Sequence, residues 1–446
     1  MIDVIEKKSK WGKVWKVAIV LFTVLLSVAG IAYSLTDVGE AASSYEKNRD
    51  RAKSLGLVFD QQSAELLYHV APVENAFPEI EEPLKAMRTL DDTFSEPGEK
   101  SIKHTDAEFL QQWASHSKEI KATERLSLRK HYLRNHAVRG PMFDGSPEYG
   151  WTKSLVRVLV RRCKIAGTKN DLTTVARLLP CAAKIAVMLD DDPNVMASLV
   201  RASCDVIITA ELRNMVTFHG REPSWQTAIS KVLTILDKPY DLRPMIKRQH
   251  WTSYHAAQVF LGAEKDSDSF FQENRVQFLM LRMVPRFRYA TLSRIHEYYN
   301  RQLERYPTDI RDYAMIEKDA ANAGQFINQE TFSFSLAGLV SPTYVDVPKG
   351  IHRNVVSRYA VSEALEILRR KQDPNDGLPL KGRFANDLDG KPLRIKHLAK
   401  GWIVYSVWKN GTDDGGVVTK GLQNDYVVDL SPATMPMTRV RVTAKP

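Results

Sequence analysis

Val17-Ala18-Ile19-Val20-Leu21-Phe22-Thr23-Val24-Leu25-Leu26-Ser27-Val28-Ala29-Gly30-Ile31-Ala32-Tyr33-Ser34-Leu35 runs for nineteen residues without a charged side chain. As a helix it reaches roughly 28 Å, close to the hydrocarbon thickness of a bilayer. Lys7, Lys8, Lys10, Lys13 and Lys16 precede it, against Asp3 and Glu6, and Asp37, Glu40 and Glu46 follow it before Lys47. The positive-inside rule keeps the lysine side cytoplasmic and exports everything after Leu35. Trp11, Trp15 and Tyr33 stand where interfacial aromatics belong. The competing interpretation, a cleaved signal peptide, has a shorter apolar core. The small-residue pairs Ser27/Ala29, Gly30/Ala32 and Ala32/Ser34 make poor cleavage sites. The expectation is a retained single-pass anchor in the inner membrane, N-terminus in the cytoplasm, bulk outside.

Outward from the anchor, the chain is long enough for two or three structural units. Its 43% hydrophobic and 26% charged residues fit a folded protein. The formal charge of +10 is scattered among acidic residues, with no arginine-rich run or nucleic-acid motif, so nucleic acid is not an expected partner. Cys163, Cys181 and Cys204 lie in apolar helical segments at no zinc-like spacing, and read as small buried hydrophobes. A Cys163–Cys181 bridge is the alternative that export would permit.

The spacing of apolar residues predicts a mainly α protein that ends in a small α+β module. The flank covers 1–16 and the membrane helix 17–35. A stalk and irregular segment covers 36–105, with Pro72, Pro78 and Pro83 and a loop-like stretch from 91 to 106. An irregular α-helical array covers 106–335. Within it Thr105 or Asp106 caps one helix, and Gly167 stops another. Asp171 caps a helix apolar almost all round to Leu189, with Pro180 as a kink, and Asp190-Asp191-Asp192-Pro193 breaks the chain. Met196, Leu199, Val200, Ser203, Val206, Ile207 and Ala210 then share a stripe. The arginines from Arg282 to Arg305, interleaved with tyrosines, read as a solvated face. A connector covers 336–352. The module, 353–446, holds an amphipathic helix from Asn354 to Lys371, a β-hairpin over Pro392–Leu398 and Trp402–Val407, and a short strand from Tyr426. Because a two-stranded sheet alone is marginal, the helix is expected to cover it.

Asp387-Leu388-Asp389-Gly390-Lys391-Pro392-Leu393, Tyr405-Ser406 and Asn410-Gly411-Thr412-Asp413-Asp414-Gly415-Gly416 carry two resemblances. The pattern, with Glu74-Asn75-Ala76 and the helix-rich centre, resembles a poorly characterised bacterial family frequent in planctomycete-type genomes. The family has a single N-terminal anchor and a helical exported region. From Asp387 to Asp429 it is also similar to the tail of type II secretion major pseudopilins, where a Tyr-Ser hairpin precedes an acidic loop that holds calcium. The N-terminus lacks the prepilin cleavage motif, so a pilin is not expected. The pseudopilin resemblance implies calcium at Asn410, Asp413, Asp414, Asn424 and Asp425. Asn410 stands where that pattern usually has aspartate. Oxygen-rich side chains in a glycine-bent loop suit a hard cation, and the same residues also suit a plain turn. Asp373-Pro374-Asn375-Asp376-Gly377 lacks the remaining EF-hand ligands and reads as a turn.

Catalytic signatures are missing from the sequence: there is no His-Glu-x-x-His, no Gly-x-Ser-x-Gly, no P-loop and no dinucleotide-binding glycines. His250 and His255 are five apart, off one helical face. The expectation is a non-enzymatic, membrane-tethered scaffold or interaction protein of the bacterial envelope, with an envelope protein as partner. An envelope hydrolase with a site assembled by the fold and a secretion-system or pilus accessory are the alternatives.

Overall fold

The computed structural model describes residues 38–66, 74–94, 105–131, 147–260, 285–306, 308–309, 346–370, 387, 391–399, 401–407, 413–416 and 425–431. The expected membrane helix at 17–35 lies outside these residues, as do Asn410 and Asn424. The described chain is mainly helical with one small antiparallel sheet, and it separates into two compact units.

After α1 (Val38–Ser54), the larger unit begins with α2 (Gln61–Leu66) and α3 (Phe77–Phe94). Two prolines made this stretch read as irregular, yet α3 carries Pro83 inside it. Pro78 falls in the first turn, where a missing N–H is not needed. The apolar stripe Ile80, Leu84, Met87 and Leu90, each at most 1% exposed, offsets the bond lost at Pro83. The expected loop from 91 is therefore helix as far as Phe94, and Asp91 is buried against Arg157.

α4 (Asp106–Ser115) starts on a capping box: the Thr105 hydroxyl accepts from Glu108 N at 3.2 Å, and Glu108 Oε2 accepts from Thr105 N at 2.7 Å. α5 (Ser117–Leu126) and α6 (Pro147–Thr168) follow. Asn170 turns the chain with φ 53°, and Asp171 caps α7 (Leu172–Met188) by accepting from Thr174 N at 3.0 Å. α7 is the described helix long and apolar enough to cross a membrane, but 72% of its most apolar stretch is buried in the protein. It contacts α6, α8 (Val195–His219) and α9 (Pro223–Leu236), which is why it is apolar all round.

α10 (Arg243–Phe260) and α11 (Pro285–Arg305) come next, then α12, Asp346–Arg370, which begins inside the expected connector. α12 contacts α8 and α9 as well as β2 and β3. Gly220, at the end of α8, marks how close α12 comes: an added Cβ there would lie 2.6 Å from Leu368 Cδ1. β1 (Arg394–Leu398), β2 (Gly401–Ser406) and β3 (Tyr426–Asp429) form the sheet in that order, with Ile395 opposite Val404 and Val404 opposite Val428. Leu365, Val361, Val404 and Val428 belong to the same buried cluster as Leu178, Leu212 and Val232. The helix covers the hairpin as expected, but the core beneath it runs on into the central helices without a break.

The smaller unit contains α1, most of α10 and nearly all of α11. Asn48 donates to Ser293 Oγ at 3.0 Å and accepts from Asn300 Nδ2 through its carbonyl at 2.9 Å. Arg51 makes a two-pronged pair with Glu304, both bonds 2.6 Å. Tyr298 and Tyr299 fall on one apolar stripe with Ile295, Leu303 and Tyr306 and are buried, whereas Arg294 and Arg301 pair with Glu297.

Candidate functional site

Asp190-Asp191-Asp192, which reads in sequence as a simple chain break, is the polar centre of the larger unit. A single 3-10 turn over Leu189–Asp191 closes α7 and sends the three carboxylates in three directions. Asp192 accepts from Tyr149 OH at 2.7 Å and from Asn194 N at 3.1 Å. Asp191 meets His131, Oδ2 to Nδ1 at 3.1 Å, and Lys238 at 3.9 Å. The other His131 nitrogen faces Glu74 at 3.9 Å, and Glu74 holds Lys130 at 2.6 Å. Backbone pairing fixes this geometry: Ala76 N donates to the His131 carbonyl at 2.9 Å, and His131 N to the Glu74 carbonyl at 3.2 Å.

Asp190 points inward. Its carboxylate lies 3.1 Å from Arg201 Nε, Arg201 pairs in turn with Asp205, and Asp205 with Arg358 of α12. None of the four side chains is more than 6% exposed. Two guanidiniums and two carboxylates balance, so the group is formally neutral. Burial pushes Asp190 up to about 7, with Arg201 acting against it. Burial works against the Arg201 charge, and Asp205 and Asp190 more than offset that, raising its pKa. Tyr240 OH donates to Ser198 Oγ at 2.6 Å beside this group. A cavity of about 10 Å³, room for roughly one water, lies among Arg201, Asp205, Tyr240, Val355 and Arg358.

The outer side of α8 is its chemical opposite. Met196, Leu199 and Val206 are 41%, 40% and 49% exposed. Ser203, between them, donates its hydroxyl to the Leu199 carbonyl at 3.0 Å. Arg201, Asp205 and Glu211, the charged residues of α8 before Arg213, are all buried. Burial raises Glu211 to about 7, with an Asn214 bond opposing.

Of the expected calcium ligands, Asp413, Asp414 and Asp425 are described; they lie near enough at one corner of the sheet to repel one another, but not as a cluster that would hold a metal ion. Burial raises Asp425, and so do the nearby Asp414 and Asp413, against a bond from Gly416 N at 2.9 Å. Asp425 Oδ1 is buried without a hydrogen-bond partner, which is an unmet demand for a positive group. The other donors are already engaged. Asp413 accepts from Gly415 N at 2.9 Å and from Arg394 Nε at 2.8 Å, and its pKa is lowered, first by that backbone bond. The Gly415 carbonyl accepts from Lys396 at 3.0 Å. Arg394 also reaches Asp387, 2.8 Å away and fully buried, which accepts in addition from Ser406 Oγ at 2.6 Å and Val407 N at 2.9 Å. The residues fit a cation in part: one free buried oxygen faces a loop whose charge β1 already neutralises with Arg394 and Lys396. Gly416, φ 71°, packs so close over β2 that a Cβ would lie 2.5 Å from Ile403 Cδ1.

The smaller unit holds a histidine pair that no sequence spacing marks. His250 Nδ1 lies 2.9 Å from the Val58 carbonyl and so carries its proton there. His250 Nε2 is then an acceptor, and His296 Nδ1, 2.9 Å away, donates to it. His296 Nε2 is left as a buried lone pair without a partner. Burial lowers His250 to about 3 and holds His296 well below the usual histidine range, helped by His250 and Arg49. Cys163, Cys181 and Cys204 are free and buried, and burial raises all three thiols, Cys181 to about 11. Among the described residues no three metal-ligating side chains converge.

No protein-family model, curated protein or solved structure matches the chain.

Proposed function

We propose that the chain is a membrane-tethered, extracytoplasmic scaffold or interaction protein of the bacterial cell envelope, acting by binding and not by catalysis. The observation that carries this is the outer face of α8. A helix that turns its charges inward and leaves Met196, Leu199 and Val206 in water presents a patch whose burial needs a partner. The tether follows from Val17–Leu35 and its lysine flank. The hydrolase alternative rests on the Asp191–His131 pair. There the second imidazole nitrogen lies 3.9 Å from Glu74, so both ring nitrogens face carboxylates and not a hydroxyl or thiol that the ring could activate.

Affinity capture from solubilised membranes tests the proposal, with the wild-type chain and Leu199→Lys as parallel baits. Envelope proteins retained by the first and lost by the second are the expected result. Identical sets on both baits would take the α8 face out of partner binding. A chain that leaves membranes in a high-salt wash would remove the tether.

A further inference from the structure

We infer that the first turn of α11 rests on the membrane surface, with Arg286 and Arg288 bound to anionic phospholipid headgroups beside the anchor. The inference rests on the tether proposed above and adds a second point of membrane contact to it.

α1 and α11 lie side by side and run parallel. Ser44 Oγ is 3.1 Å from Ser293 Oγ, Asn48 bonds Ser293 and Asn300, and Arg51 reaches Glu304, so residue numbers rise together along both helices. These partners are 249, 245, 252 and 253 residues apart in the chain, about 250 on average. Ring contacts agree: the Tyr45 centroid lies 5.7 Å from that of Tyr289 and 5.6 Å from that of His296. Both helices rise equally per residue, so this register sets Arg288 level with Val38, the start of α1, and Arg286 and Pro285 just beyond it.

Val38 stands three residues after Leu35, where the apolar run ends. Three residues span at most about 11 Å in any conformation. The headgroup layer outside the hydrocarbon is itself about 5–8 Å deep. The anchor therefore holds the first turn of α11 at the edge of that layer.

The turn has the chemistry to use this position. It carries two arginines and no acidic residue, and the first carboxylate on α11 is Glu297. Arg288 is exposed and forms no ion pair among the described residues. A guanidinium fork matches phosphate oxygens in pairs, and a half-buried aromatic such as Phe287 suits the interface. Asp37 and Glu40, which follow the anchor in sequence, would by themselves be repelled by an anionic surface. The longer arginine stems reach the phosphates and leave those carboxylates in water. The two arginines come some 250 residues after the anchor, too far along the chain to influence its orientation. Their contact lies about 10 Å to the side of α1, the spacing of packed helices, and so restrains the tilt of the smaller unit on the membrane.

The test uses the full-length chain in phosphatidylethanolamine/phosphatidylglycerol vesicles that include lipid with a nitroxide on its headgroup. An NBD fluorophore is attached at Pro285→Cys, or at Ser54→Cys at the far end of α1, about 24 Å from Val38 along the helix. Both positions are exposed, and the native cysteines are at most 4% exposed, so the reagent marks the introduced thiol. The expected result is strong quenching at residue 285 and little at residue 54. The ratio of docked to undocked chains should fall about fivefold with Arg288→Gln and about 25-fold when Arg286→Gln is added. Replacing phosphatidylglycerol with phosphatidylcholine should act in the same direction. Circular dichroism and melting check that the glutamine chains fold, and Arg288→Gln alone alters an exposed side chain. Equal quenching at residues 285 and 54 in chains that float with the vesicles overturns the inference and leaves the tether standing. Quenching at residue 285 that ignores both the arginines and phosphatidylglycerol also overturns it. A chain that does not float with the vesicles removes the tether, and this inference with it.

Discussion

Asp205→Asn removes one carboxylate from the balanced group of Asp190, Arg201, Asp205 and Arg358. Arg201 keeps Asp190, but Arg358, 6% exposed at its side chain, is left as a buried cation without its ion-pair partner. Breaking a buried pair by removing one member costs about 3–5 kcal/mol. A Coulomb term of about 4 kcal/mol at 4 Å and an effective dielectric constant of 20 gives the same scale. Asparagine keeps one acceptor oxygen, so the expected loss is near the lower end, about 3 kcal/mol. The paired change Asp205→Leu with Arg358→Met leaves Arg201–Asp190 complete and is expected to come back to within about 1 kcal/mol of wild type. Urea unfolding of the purified chain, followed at the buried Trp225, measures the loss. Hydrogen exchange on α8 and α12 peptides shows whether it is local to them. A cost under about 1 kcal/mol for Asp205→Asn would refute the reasoning, as would strictly additive effects of the Asp205 and Arg358 changes.

Three further outcomes follow from the same kind of argument. Glu211 has a folded pKa of about 7, above its ordinary 4.5, so the native state holds its proton longer, and stability present below pH 4.5 is lost as pH rises towards 7. Glu211→Gln should therefore raise the melting temperature at pH 8 and leave it nearly unchanged at pH 5; equal shifts at both would contradict the burial argument. His250 and His296 are depressed, so their contribution is full above pH 6.5 and lost as pH falls towards 3. Protection of α10 and α11 amides, taken relative to their intrinsic exchange rates, should fall between pH 7 and pH 5, and less so in His296→Asn; unchanged protection would mean the pair is solvated. Arg394→Gln should loosen the β1–β2 hairpin by about 2–3 kcal/mol, because it strips the cation from the buried Asp387. It also removes the competitor for Asp413, so millimolar calcium should raise the melting temperature of Arg394→Gln more than that of wild type. No calcium effect on either chain makes the loop a turn.

Local signals were legible where they obey local rules. Thr105 and Asp171 announce their helices because a cap is decided within four residues, and the hairpin from Arg394 to Ser406 is carried by its own alternation. α3 was misread because proline is a local signal, and the buried run from Ile80 to Leu90 that overrides it is tertiary. The aspartate run at 190–192 looked like punctuation for the same reason: its partners His131, Arg201 and Tyr149 arrive from three other segments. His250 and His296 lie 46 residues apart, and no spacing rule connects them. The stripe on α8 was visible as a pattern, but periodicity alone does not say whether a stripe faces the core or water. Here the charged side took the core, since Arg358 waits there.

That inward-facing charge has a consequence for how the chain is made. Arg358 is 153 residues downstream of Asp205, so it emerges long after α8 has left the ribosome. Until then Arg201 and Asp205 lack their fourth partner, and sealing them from water would strand a charge. α8 must therefore wait, partly hydrated, while its apolar neighbour α7 is already free to collapse. α12 delivers the missing guanidinium, and β1, β2 and β3, which follow it in the chain, then pack on its other side. A chain stopped short of residue 346 should thus be a holdase client with intact early helices and a wet α8, however well its first half is synthesised.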